Sequence, residues 1–168
     1  MSGKRIYFIF LSFTLIWNIL IVFGPFFAGS GGLTGYLSSF SYSFFSVTCH
    51  QIDNRSFHFL GEKLSVCSRC SSVYWAFLFS VIIYPFFKGF NNVKLPSLWI
   101  LLVPGFIVFL DAAFDFLNVM NNTFVSRAVT GALIGFVLPF YLIPGFFNFS
   151  NELSSYFKKN YQSKGNKE

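Results

Sequence analysis

The chain has 168 residues, of which 54% are hydrophobic, 23% aromatic and only 11% charged. A soluble domain carries about 25% charged residues, and a core of this size has no room for 27 phenylalanines, so lipid is their natural solvent. The net charge of +6 comes mostly from basic residues in the tails and one short loop. That is a membrane-orientation pattern, and it gives a nucleic-acid-binding surface no support.

A spanning helix needs about 20 mostly apolar residues. Residues 6–28 supply the first, behind Lys4 and Arg5. A cleaved signal peptide is the alternative for this segment, but the apolar run exceeds the roughly 7–15 residues of a signal core. Residues 29–48 hold six serines, too many for an easy span. Within them Leu33, Leu37, Phe40, Phe44 and Val47 recur at helical spacing. This predicts an amphipathic helix lying at the interface or leaning on the bundle. Residues 71–87 form the second span, 95–117 the third with Pro96 and Pro104, and 125–147 the fourth, ending near Pro144-Gly145. Residues 148–168 read as a polar, basic tail that frays. The predicted fold is therefore an all-α polytopic membrane helix bundle. It has about four transmembrane helices plus one amphipathic or partly inserted helix, in a single domain over residues 1–147.

Charge sets the expected orientation. With four spans and the N-terminus inside, Lys4, Arg5, Lys88, Lys94, Lys158, Lys159, Lys164 and Lys167 are cytoplasmic. Arg55, Lys63 and Arg69 are then outside, a split of eight against three that fits the positive-inside rule. If residues 29–48 also span, the split becomes five against six. Both termini are thus expected in the cytoplasm.

The three cysteines fall in Cys49-His50 and Cys67-x-x-Cys70, within 22 residues of one another. Three thiols and an imidazole make a tetrahedral ligand set for zinc or a related soft metal. Cys49 and His50 are neighbours and would need a bent backbone to ligate together; His58 is a spare fourth ligand. A structural disulfide with one thiol left over, or thiol redox chemistry, are the competing readings.

Asp111 and Asp115 lie four residues apart in the third span and share a helix face, which Asn118 and Asn122 would continue. A carboxylate at mid-membrane costs about 2.5–3.5 kcal/mol, so it normally faces the bundle interior with a partner. Arg127, at the start of the fourth span, is the expected partner. Thr130, Gly131 and Gly135 follow it, and Gly131-x-x-x-Gly135 permits a close helix approach that would carry Arg127 to either aspartate. A purely structural ion pair is the plainer reading. Antiparallel pairing of the second and third spans would put Cys67, Cys70, Asp111 and Asp115 at one membrane face, the extracytoplasmic one.

Cys49-His50-Gln51, Arg55-Ser56-Phe57, Gly61, Cys67-x-Arg69-Cys70 and Tyr74 together resemble a family of small prokaryotic membrane proteins of unknown function. Its marks are Cys-His-Gln and Cys-x-Arg-Cys. The resemblance continues through Asp111 and Arg127-x-x-Thr130-Gly131-x-x-x-Gly135, and covers roughly residues 45–140. Ser72, Ala76 and Ala112 stand where glycines are usual, Asp53 where a proline is, and Asp115 where a glutamine is. The resemblance implies a shared multi-span fold, a shared site and a prokaryotic cytoplasmic membrane, but brings no activity.

Three functions follow from these residues. In the first, Cys49, His50, Cys67 and Cys70 hold zinc, with Arg55 and Arg69 around it as anion-binding groups. Asp111, Asp115 and Arg127 then serve hydrolysis at the interface, where membrane lipid or a lipid-linked phosphate would suit the arginines. In the second, Cys67 and Cys70 form a membrane thiol–disulfide oxidoreductase with Cys49 as exchanging thiol and a quinone as acceptor. In the third, the protein is a non-catalytic scaffold with a structural metal.

Overall fold

The computed structural model describes residues 3–90, 94–117, 119 and 122–165, with side chains described as far as Tyr156. The order is α1 (Gly3–Phe26), α2 (Gly32–Ser46), a 3-10 turn (Asp53–Arg55), β1 (Ser56–Phe59), β2 (Glu62–Cys67), α3 (Ser68–Phe87), α4 (Trp99–Phe116), α5 (Phe124–Val137) and α6 (Pro139–Gly165). Among the described residues four helical stretches are long and apolar enough to cross a membrane: α1, α3, α4, and α5 with the first part of α6. Asn118, expected to extend the aspartate face, lies outside the described residues.

α3 is the organising helix. α5 runs beside it in the same direction, with Gly131 against the Arg69 carbonyl and Gly135 against the Val73 carbonyl. A Cβ at either position would collide with that backbone oxygen, so glycine is what lets the two helices touch. Lower down, Ser80 donates to the Phe136 carbonyl at 2.6 Å. This corrects one expectation: the glycine face meets α3, not α4. α4 packs on α5 and reaches α3 through one side-chain ion pair, so the second and third spans do not form a packed hairpin.

α2 settles the ambiguous serine-rich stretch. Its 15 residues span about 22 Å, short of the roughly 30 Å hydrocarbon core. Ser38 and Ser41 point inward, while Ser39, Ser43 and Ser46 are exposed. Ser38 donates to the Gly24 carbonyl at 2.7 Å, and Ser41 donates to the Leu20 carbonyl at 2.6 Å. Ser41 also meets the Ser65 hydroxyl at 2.9 Å. Leu33, Leu37, Phe40, Phe44 and Val47, the face read from the sequence, are exposed. Two serines turned in beside Phe45 and five large apolar side chains turned out suit a lipid surround, where the inward hydroxyls find backbone carbonyls.

Residues 56–67 form an antiparallel hairpin, which the sequence reading did not include. Phe59 pairs with Glu62 across Leu60 and Gly61, whose φ values are +55° and +86°. Two consecutive positive φ values are what a tight two-residue hairpin requires. Leu64 and Val66 of β2 join Ile21 of α1 and Phe45 of α2 in a buried cluster. A second cluster, Tyr7, Val81, Tyr84 and Ile143, closes the opposite end. There Lys4 lies 6.0 Å from the Phe90 ring and Lys88 donates to the Lys94 carbonyl at 2.8 Å. The chain is helical to Gly165, past residue 147 where a fraying tail was expected.

Candidate metal centre

Each cysteine is delivered by a different local device. Cys49 follows α2, its amide donating to the Phe45 carbonyl at 2.9 Å. Gln51 then takes φ = +50°, a left-handed conformation for a residue other than glycine. Its side-chain amide donates to the Tyr42 carbonyl at 2.7 Å and the Ser65 carbonyl at 2.8 Å. Lys63 donates to the Gln51 carbonyl at 3.0 Å. This clamp ties the loop after α2 to β2. Cys67 ends β2 and is the N-cap of α3, and Cys70 lies in its first turn.

The three sulfur ligand atoms lie within 4.8 Å of one another. Zinc–sulfur bonds of about 2.3 Å put tetrahedral sulfurs about 3.8 Å apart, so the trio fits such an ion after little movement. The Cys67 amide donates to the Cys49 sulfur at 3.1 Å, an outer hydrogen bond of the kind that steadies a thiolate ligand. Hydrogen bonding with the Cys49 thiol, and next with the Cys70 thiol, holds the Cys67 thiol well below its ordinary range. Trp17, Phe57 and Tyr74 pack against the cluster of Ile21, Phe45, Cys49, Leu64 and Val66, so the sulfurs sit on an apolar floor. All three cysteines are free thiols.

The sulfurs wall a cavity of about 210 Å³ that is also lined by His50, Arg55, Arg69, Asp115 and Arg127. His50 is exposed and lines this cavity, but it is not in the group of mutually close ligand atoms. His58 is turned elsewhere, its Nε2 lying 3.3 Å from the Asp53 carboxylate. The compact donor set is therefore three cysteines, with the cavity on one side.

Two aspartate–arginine pairs flank it. Arg69 of the Cys-x-Arg-Cys turn pairs with Asp111, which also accepts from the Thr130 hydroxyl at 3.2 Å. Arg127 places one Nη on both oxygens of Asp115, at 2.8 and 3.0 Å. Arg55 approaches the same carboxylate at 3.5 Å. Arg127 is thus the partner of Asp115, while Asp111 takes the arginine that sequence reading had placed around the metal. α4 ends at Phe116, and Asn122 does not prolong its face. Asn122 instead lies in the following loop and donates to the Asp111 carbonyl at 2.8 Å. Arg69 and Arg127 each keep a buried Nε without a partner among the described residues.

Residues 49–141 match the family described as Predicted membrane protein (DUF2085). The chain belongs to this family. The matched range begins at Cys49 and takes in every cysteine, both aspartates and Arg127. A protein of Methanocaldococcus jannaschii, named Uncharacterized protein MJ1492, is 33% identical over 147 residues, covering 86% of this chain and 94% of that protein. No solved structure matches the chain. The family is thus one of membrane proteins, in keeping with the apolar helices.

The sequence reading did not see the structural role of Gln51. Its signal was present, since a polar residue directly after a Cys-His pair has little reason to sit at the end of an apolar helix. It also left the hairpin unread, although Leu60-Gly61 stands between two short runs rich in alternating apolar residues.

Proposed function

We propose that Cys49, Cys67 and Cys70 hold a zinc ion whose fourth position faces the arginine-lined cavity, and that the protein is a metal-dependent hydrolase working at a membrane interface. The observation that carries this reading is the convergence of three sulfurs within 4.8 Å on a cavity that also receives Arg55, Arg69 and Arg127. Three protein ligands and one open position are the pattern of catalytic zinc, whereas closed four-ligand sites are structural. When bound, zinc would supply a nucleophilic water at neutral pH. Arg55 and Arg127 would hold an anionic group beside it. Asp115 would fix the Arg127 guanidinium, and Asp111 and Thr130 would fix Arg69. His50 would close the site as a fourth ligand only after moving toward the sulfurs.

Elemental mass spectrometry of the detergent-purified protein tests this. About one zinc per chain is expected in the wild type, with loss of that zinc in Cys67→Ser. Retention in His50→Ala is expected for an open site; loss of zinc in that variant would make the site a closed Cys3His staple and overturn the hydrolase reading.

A second reading has its own support, in the closeness of the free Cys67 and Cys70 thiols at the start of α3. Oxidation of Cys67 and Cys70 to a disulfide would send two electrons to an acceptor such as a quinone and release the thiol protons. Protein purified without zinc and with these two cysteines paired would favour it over the metal.

The same reading places both termini in the cytoplasm and the cavity outside, supported by Lys4, Lys88 and Lys94 gathering at the end opposite the cysteines. A reporter active only in the cytoplasm, fused to the N-terminus, would be silent if this orientation is reversed.

A further inference from the structure

A second polar cavity of about 200 Å³ adjoins the first and is lined by Asn54, Arg55, Asp115, Asn122, Phe124 and Arg127. Arg55, Asp115 and Arg127 belong to both, so the two are parts of one cleft. Two guanidinium groups face one carboxylate there, leaving one positive charge in excess. Asn54 and Asn122 add neutral amide groups. Such a set suits an anion with several oxygens, of which a phosphate is the common case.

The cleft has an apolar neighbour. Phe124 on its wall lies 5.5 Å from Phe57, ring centre to ring centre, and Phe57 stacks on Trp75 at 5.9 Å. Trp75 in turn lines a groove of about 460 Å³ on the outer surface of α1 and α3, with Ile19, Val22, Phe23, Phe26 and Leu78. Three aromatic rings thus connect a cationic cleft to an apolar groove that opens where lipid chains lie. A charged cleft beside an aromatic step and an apolar groove matches an amphiphile, not a free ion.

We propose that this composite surface binds a phosphate-bearing lipid, its phosphate between Arg55 and Arg127 and one chain in the α1–α3 groove. The site adjoins the zinc reading without resting on it, because the guanidinium charges are present with or without an ion. Arg55 is the adjustable element: its side chain is 44% exposed and its bond to Asp115 is long, at 3.5 Å. It can turn from the carboxylate to a phosphate, while Arg127, 10% exposed, stays on Asp115.

Native mass spectrometry of the full chain in neutral detergent tests the proposal, with phosphatidic acid, the matched diacylglycerol and inorganic phosphate as probes. Phosphatidic acid is expected to bind about tenfold more tightly than diacylglycerol, the worth of one charge-assisted contact. Arg55→Gln is expected to remove that preference while zinc content stays as in the wild type, and Arg55→Lys to restore part of it. Ile19→Trp, which fills the groove, is expected to weaken phosphatidic acid and leave inorganic phosphate unchanged. Cys67→Ser is expected to bind phosphatidic acid normally even if it carries no zinc, which keeps this test separate from that of the metal. Equal affinity for diacylglycerol, or an unchanged preference in Arg55→Gln, would overturn the headgroup site. Inorganic phosphate binding as tightly as phosphatidic acid, with no effect of Ile19→Trp, would overturn the lipid in favour of a soluble phosphate.

Discussion

α4 and α5 are both apolar helices, yet they are held in opposite ways. α5 buries Arg127, Thr130, Gly131 and Gly135, and its glycines lie directly on the backbone of α3. α4, whose residues are all described, buries none of them. Its side chains Phe106 and Phe109 are exposed, and its ion pairs to the bundle come from the two aspartates. In lipid an apolar surface gains little by meeting another apolar surface, so shape and polar contacts decide which helices pack. α5 is fixed by shape. α4 is fixed by charge, and the charges it brings are those of the candidate site.

That contrast can be broken from either side. The largest effect is expected for Gly135→Leu, which would force α5 off the Val73 carbonyl. A loss of about 3 kcal/mol should appear in detergent unfolding, together with loss of zinc; near-normal stability would mean that the α3–α5 seam is looser than its geometry. Asp111→Asn comes next. It leaves Arg69, 25% exposed, without its counter-charge, and a cost of about 2 kcal/mol is expected. If α4 is held by charge, proteolysis should then cut the loops on either side of it faster while α3 and α5 stay protected. Uniform sensitivity of the whole chain would remove the distinction. The smallest effect is expected for Phe106→Ala on the outer face of α4, within about 0.5 kcal/mol. A large loss there would show that something covers this face in the membrane.

The site can be compared with its support in the same way. Both aspartates, Arg69, Arg127 and the three cysteines were legible because charged or thiol side chains are rare in so apolar a chain, and each must find a partner. Which arginine meets which aspartate was not legible. Asp111 and Asp115 are one turn apart, and either could have met Arg127. The choice follows from α5 sliding along α3 to the register at which Gly131 fits over Arg69, which leaves Asp111 facing the Cys-x-Arg-Cys turn and Asp115 facing Arg127. His50 shows the converse. Its neighbour Cys49 made it an obvious ligand, but His50 lines the cavity and is not in the group of mutually close ligand atoms.

By itself the sequence determined that the chain is a membrane protein with four stretches long and apolar enough to cross a bilayer, because composition and run length are set residue by residue against the thickness of a bilayer. It also singled out the cysteines, aspartates and arginines that the fold brings near one another. Only the tertiary structure decided that Ser38 and Ser41 of α2 face inward, that residues 56–67 fold back as a hairpin, and how the arginines pair with the aspartates. Those outcomes depend on where one backbone can approach another. That distance is fixed by glycines and serines meeting carbonyls across different helices, and no local pattern of hydrophobicity records it.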